Sequence, residues 1–213
     1  MKITVLVDNN TLIGKNLNGE PGLSFFIEDE GIKVLFDTGI SDLFIKNAHK
    51  LGISMDNLDY VVISHGHDDH IGGLVHLINY YKDYNIKNRP KLLIHPMALM
   101  NKICENNDIG NFLNENIISL YFDVIKTSEP YSITDKLVYL GEIKRKYEFE
   151  KLVSYNKINC NGKMLPDNLI DDTAIAYDYS KGIVIITGCS HSGICNIIEH
   201  SKDVIKKNKI YDE

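Results

Sequence analysis

The sequence predicts an α/β fold in which two sheets pack between helices as one αββα domain. Three observations carry this. Apolar strand-like runs precede amphipathic helical stripes in both halves of the chain, so each half offers a sheet and a helix to cover it. No linker, repeat or low-complexity run divides the 213 residues, a length that suits a single domain, 1–213, with a sizeable core. Each half also runs a strand into a histidine-bearing turn: Ser64-His65-Gly66-His67-Asp68-Asp69-His70 in the first, and Gly188-Cys189-Ser190-His191 in the second.

The elements follow in order. Residues 2–8 form a short buried strand, and a polar loop rich in Asn and Gly runs to Gly22. Residues 23–28 and 32–36 are a hairpin joined at Glu30-Gly31. Ser41 is placed to cap a helix whose face carries Phe44, Asn47, Ala48 and Leu51, with Gly52 as its stop. Residues 60–63 are a strand leading into the histidine cluster. The helix after it carries Ile71, Leu74, Val75, Ile78 and Tyr81 on one face. Residues 91–94 are a strand ending at His95-Pro96, while the polar stretch 101–129 reads as a flap or irregular helices. In the second half, 137–140, 151–154, 174–177 and 183–187 are strands. A closing helix from Gly193 to about Lys207 presents Ile194, Ile197, Ile198, Val204 and Ile205.

Composition narrows the function. With 29 acidic against 23 basic residues the formal charge is -6, which disfavours a general nucleic-acid partner. One local cation in a pocket can still hold a small anionic substrate. The four cysteines include no Cys-x-x-Cys pair, so a structural zinc finger is not expected. Met1 runs directly into a strand, and no apolar run reaches membrane-spanning length, so a cytoplasmic protein with reduced thiols is expected, with no membrane partner.

The chemistry concentrates at His65, His67, Asp69 and His70. Residues i and i+2 on extended chain leave the same face, so His65 and His67 can hold one borderline-soft ion. Asp69 and His70 follow where the chain turns into a helix and can face a second ion a few ångströms away. With eight His and eighteen Asp, chance would place His-x-His-x-Asp-His somewhere in the chain about once in a thousand sequences. His191, in a loop bounded by glycines, is the expected third imidazole ligand, the other reading being a capping or solvent-facing histidine. His49, His76 and His200 sit in helices without partners and read as surface or structural.

This run, with Leu35-Phe36-Asp37-Thr38-Gly39 before it, resembles the metallo-β-lactamase superfamily. DYVVISHGHDDHIGGL at 59–74, HP at 95–96, GEIKR at 141–145, DDTAIAY at 171–177 and GIVIITGCSHSGICNII at 182–198 are similar to one branch. That is the family named after 7,8-dihydropterin-6-methyl-4-(β-D-ribofuranosyl)aminobenzene-5′-phosphate synthase. The resemblance spans nearly the whole chain and implies the metallo-β-lactamase αββα sandwich. It further implies that Asp37 braces the histidine loop rather than binding metal, a turn-forming Asp being the alternative. It places Cys189 where a strand end reaches a metal as thiolate, against the alternative of a small buried apolar cysteine. It faces Asp172 toward the pocket as a supporting group or ligand, an ordinary turn being equally open. Arg145, within GEIKR, is the choice for anchoring a phosphate or carboxylate, although its charged surroundings also suit a solvated face. His95 ends a strand near the rim, to contact substrate or stack in the wall.

The expected activity is metal-assisted hydrolysis. One or two divalent ions, zinc first and manganese or iron as alternatives, would activate water, with Asp69 orienting the water or taking its proton. That the substrate is small, phosphorylated and pterin-like is implied by the resemblance alone. Thioesterase, lactonase and phosphodiesterase chemistry on the same fold remain open, as does a non-catalytic metal-binding domain, which would lack an open water position. In the family a further strand and a Gly-Gly-x-His segment follow the closing helix, whereas this sequence stops at residues 210–213. A domain without that strand is therefore expected to have a half-occupied metal site, low activity and an open edge that a homodimer or companion chain would cover.

Overall fold

The computed structural model describes residues 1–11, 13–151, 156–160 and 162–211. The first half contains β1 (Lys2–Val7), β2 (Ser24–Asp29), β3 (Ile32–Phe36), α1 (Leu43–Lys50), β4 (Tyr60–Val62), α2 (Asp68–Ile71), α3 (Leu74–Asp83) and β5 (Lys91–Ile94). Then come β6 (Lys102–Cys104), β7 (Asn107–Asp108), α4 (Glu115–Tyr121), β8 (Asp123–Lys126), β9 (Tyr131–Ser132) and β10 (Leu137–Tyr139). The remainder is β11 (Lys157–Cys160), β12 (Lys163–Pro166), β13 (Ala174–Tyr179), β14 (Gly182–Thr187) and α5 (Ile194–Ile205).

The described residues form three sheets. The largest has the order β1-β2-β3-β4-β5-β8, the second β14-β13-β10-β9, and a smaller flap sheet β12-β11-β6-β7. The period-two alternation of side chains sorts the core into layers. Phe26, Leu35, Val61, Ile63 and Leu92 face α1 and α3, packing with Phe44, Ala48, Leu74 and Ile78. Their strand neighbours Ile27, Val34, Phe36, Val62 and Leu93 face the other way, against Leu137, Tyr139, Ile175 and Ile186 of the second sheet. The outer side of that sheet, Ala174, Ala176 and Ile183, is closed by Ile197 of α5. Helix, sheet, sheet, helix is therefore the layer order, as the sequence predicts.

The β2–β3 hairpin turns at Glu30 and Gly31, both with positive φ (52° and 86°), the geometry that a tight two-residue hairpin requires. Strands β3, β4, β5 and β8 are parallel, with Phe36 opposite Val62 and Val62 opposite Leu93. Their carboxyl ends thus lie on one edge, where loops that leave parallel strands commonly form sites.

Several expectations shift. The first helix begins at Leu43 with Asp42 in the cap position, and Ser41 instead accepts from Leu43 N and donates to Glu20. Leu51 lies past the helix end and is exposed. The predicted single helix after the histidines breaks at Gly72-Gly73 into α2 and α3. Both glycines keep right-handed helical dihedrals, so Ile71, Leu74, Ile78 and Tyr81 of the predicted stripe are buried in phase together with Leu77, and Val75 at the edge of that face is half-buried. In α5, Ile194 is exposed, while His200 is buried with Nε2 3.1 Å from the Leu140 carbonyl oxygen. The stretch 101–129 holds β6, β7, α4 and β8, and β8 completes the large sheet rather than being irregular. The predicted strand at 151–154 falls largely outside the described residues. Near the chain end, Ile210 forms a parallel bridge with Ile183 beside β14.

Candidate metal centre

Each predicted ligand comes from the end of a strand or the start of a helix. β4 ends at Val62 and hands the chain to Ser64 and His65, which are fully buried. Gly66 permits a close crossing, since a Cβ there would sit 2.2 Å from the Ala98 carbonyl oxygen. His67 occupies the cap position of α2, and Asp69 and His70 lie in that short helix. From the second sheet, β14 ends at Thr187 and Cys189 and His191 follow.

These side chains converge. Among the described residues, three overlapping triplets have donor atoms within 4.8 Å of one another: His65, Cys189 and His191; His65, His67 and Asp69; and Asp69, His70 and Cys189. His65 Nε2 lies 3.1 Å from His67 Nδ1, and His70 Nε2 lies 3.1 Å from Cys189 Sγ. Two nitrogens each 2.0–2.1 Å from a tetrahedral ion are about 3.3 Å apart, so the first spacing suits a shared ion. The centroid of the His191 ring is 4.8 Å from that of His65 and 5.0 Å from that of His67. His191 Nε2 is buried without a hydrogen-bond partner among the described residues, a polar atom that a metal ion would satisfy. Imidazole, carboxylate and thiolate together fit a borderline-soft divalent ion.

The supporting groups are equally ordered. Asp37, fully buried and in left-handed backbone (φ 56°), accepts from Ser64 N and Ser64 Oγ at 2.7 Å each. Its Oδ2 also lies 2.7 Å from His70 Nδ1, which fixes that ring so that Nε2 faces the centre. Ser64 Oγ is 3.0 Å from His65 Nδ1, so the hydroxyl links the His65 imidazole to the carboxylate that holds His70. Asp172 accepts from Ser192 N at 2.8 Å, directly after His191.

Electrostatics divides the histidines. Burial opposes charge on His70, but Asp37, through its charge and hydrogen bond, together with Cys189, outweighs it and pushes the pKa up to about 11. Burial, with Lys102 and His191 adding to it, lowers His67 to about 4. Burial also holds His65 well below the usual imidazole range, reinforced by the neighbouring rings. Burial would raise the Cys189 thiol, yet its hydrogen bonds to His191 and His70 bring it down to about 7. A thiol lowered this far passes to the thiolate form more readily than an ordinary cysteine, whereas His70 must first give up a proton to serve as a ligand.

The two residues expected to meet the substrate have partners within the protein. His95 Nδ1 accepts from Met97 N at 3.2 Å and caps a turn at Pro96–Leu99, while its Nε2 is 3.9 Å from Glu142. Arg145 donates to the Leu169 carbonyl at 2.7 Å and reaches Ser192 Oγ at 3.4 Å. Sequence reasoning missed Ser64, which sits inside the quoted motif, and Lys102, which lies in a stretch without periodicity.

Residues 17–130 match the Metallo-beta-lactamase superfamily, a span covering over half of the chain. The chain belongs to that superfamily. It is 33% identical over 94% of its length, and 73% of the relative's, to the uncharacterized protein MJ0448 of Methanocaldococcus jannaschii. It is 30% identical to the 7,8-dihydropterin-6-methyl-4-(beta-D-ribofuranosyl)-aminobenzene-5'-phosphate synthase of the same organism, over 99% of this chain and 75% of the synthase. Among solved structures, Tm1679, described as a metal-dependent hydrolase of the beta-lactamase superfamily, superposes with a TM-score of 0.77 at 30% identity. That match covers 96% of this chain and 70% of Tm1679. The fold is thus the metallo-β-lactamase fold. No helix among the described residues is long and apolar enough to cross a membrane.

Proposed function

We propose that this chain is a metal-dependent hydrolase acting on a small phosphorylated substrate with a pterin-like heteroaromatic part. The observation that carries the hydrolase reading is the convergence of donors from both halves into overlapping triplets. His65, His67 and His191 would hold one divalent ion, and Asp69, His70 and Cys189 a second, with zinc the best match to the imidazole and thiol donors. When bound, such ions lower the pKa of water from about 15.7 toward 7 and stabilise charge that develops on the electrophile.

The residues of the chain do the rest. Asp69, half-buried at the start of α2, orients the attacking water and accepts its proton. Asp37 keeps His70 in the tautomer that presents Nε2. Asp172, through Ser192, holds the loop that carries His191. The substrate class is drawn from the likeness to the synthase, which extends over 99% of this chain.

The test is metal analysis of the purified chain beside a hydrolysis panel: a phosphorylated pterin, a phosphodiester, a lactone and a thioester. Bound divalent metal with turnover of the first supports the reading. Turnover of another panel member reassigns the substrate, and absence of tightly bound metal overturns the mechanism.

A further inference from the structure

Lys102 is fully buried, unusual for a lysine, and a buried ammonium must be matched by opposite charge. It lies on β6 of the flap sheet, outside every motif of the metal centre. Its Nζ donates to Asp171 Oδ1 at 2.7 Å and Oδ2 at 2.8 Å, and it lies 3.1 Å from Asp167 Oδ2. Asp171 Oδ2 also accepts from Gly66 N at 2.8 Å. Gly66 is the residue between His65 and His67, and a side chain there would collide with the Ala98 carbonyl oxygen. The Asp171 carboxylate thus holds the peptide amide between the two imidazoles. The 3.1 Å spacing of the flanking imidazole nitrogens depends on where that peptide sits.

The flap meets the same loop a second time. Asn156, just before β11, places Nδ2 3.4 Å from His67 Nε2. β11 pairs with β6 at Ile158 and Lys102, so both contacts ride on one small sheet. Asp167 N donates to the Asn156 carbonyl at 2.9 Å and ties the segment after β12 into the same unit.

We propose that Lys102 is a positioning residue through which the seated flap sheet sets the metal affinity of the His65–His67 pair; this rests on the metal-binding reading above. The ammonium fixes Asp171, Asp171 fixes the Gly66 amide, and Gly66 fixes the two rings. By linkage, whatever seats the flap tightens metal binding, and metal binding seats the flap.

The test uses the full chain, stripped with chelator and titrated with Co(II), reading the visible ligand-field spectrum for affinity and geometry. Near-UV circular dichroism of each variant reports whether it is folded. Lys102→Met is expected to weaken Co(II) binding by about 10–100-fold and to alter the spectrum, the range typical of groups that orient ligands. Lys102→Met leaves two carboxylates unmatched and can unfold the chain. The double variant Lys102→Met, Asp171→Asn removes much of that imbalance and still lacks the clamp, so it should keep a loss of at least about tenfold. A folded variant of either kind that binds Co(II) within about threefold of the parent, with an unchanged spectrum, overturns the proposal. No Co(II) uptake by the parent chain would overturn the metal reading itself, and this proposal with it.

Discussion

The loop after β4 places its imidazoles by burial and by bonds to neighbouring strand ends, whereas the loop after β14 carries its cysteine at a more exposed position and leans on distant segments. In the first, His65 and His70 are buried and Asp37 and Ser64 fix both rings. In the second, Cys189 is exposed and Ser190 is in left-handed backbone (φ 59°). Ser192 is held by Asp172 and Arg145, and the helix that follows is capped by Glu150. The first loop is preorganised before any ligand arrives. The second supplies donors whose placement is shared among three other stretches of chain.

The comparison breaks most visibly at His67. Replacing it by Ala should abolish hydrolysis and strip metal, while far-UV circular dichroism stays close to the parent. The ring sits on a loop, while the core rests on apolar residues such as Leu35, Val61, Leu74 and Ile78. Unchanged turnover on an established substrate would remove the first loop from the mechanism.

Next in size is the pair Asp37→Asn and Asp172→Asn. Asp37 serves three partners, and its loss should weaken Zn(II) binding by about 10–100-fold, while Asp172→Asn should fall near the lower end of that range. Competitive titration against a chromophoric chelator measures both. Equal losses would mean that the two loops are equally preorganised.

The metal-free protein should show the same division in its pH dependence. His70, raised to about 11 against burial by Asp37 and Cys189, contributes stability that is full below its ordinary value and is lost as pH climbs toward about 11. His67, lowered to about 4 chiefly by burial, contributes stability present above its ordinary value and lost as pH falls toward about 4. Urea denaturation of chelator-treated protein at several pH values should therefore show stability falling on both sides, with Asp37→Asn flattening the alkaline side. Because the ion must displace the His70 proton, metal binding should release protons and tighten with pH.

The first loop was legible in sequence because its chemistry is local: His65, His67, Asp69 and His70 stand within six residues, and Asp37 belongs to a neighbouring strand end. The strands at 23–28, 32–36 and 60–63 were legible as elements, but the sorting of their side chains between the two layers was not, since β4 is apolar throughout. What escaped was what distance in the chain conceals. Lys102 reaches Asp171 across 69 positions, and β8 joins the large sheet from a polar stretch that carries no periodic signal. The break at Gly72-Gly73 escaped because the apolar stripe runs through it: Ile71 before the glycines and Leu74, Ile78 and Tyr81 after them are all buried.

The smallest effect tests how far the second loop depends on its helix. At the start of α5, Glu150 Oε1 accepts from Cys195 N at 2.9 Å and Oε2 from Asn196 N at 2.8 Å. One carboxylate thus caps two amides that the helix cannot satisfy itself, and it also complements the positive end of the dipole. Gly193, in the cap position, has no side chain to do this. Glu150→Ala should cost about 1 kcal/mol, as loss of an N-terminal cap does, seen as a lower urea midpoint with the same slope. Metal affinity should stay within about twofold if Asp172 and Arg145 suffice to hold the residues before the helix. A change in the Co(II) spectrum of Glu150→Ala would mean that His191 is positioned by α5 itself. The second loop would then be a helix-borne part of the site, not one placed by the strand ends around it.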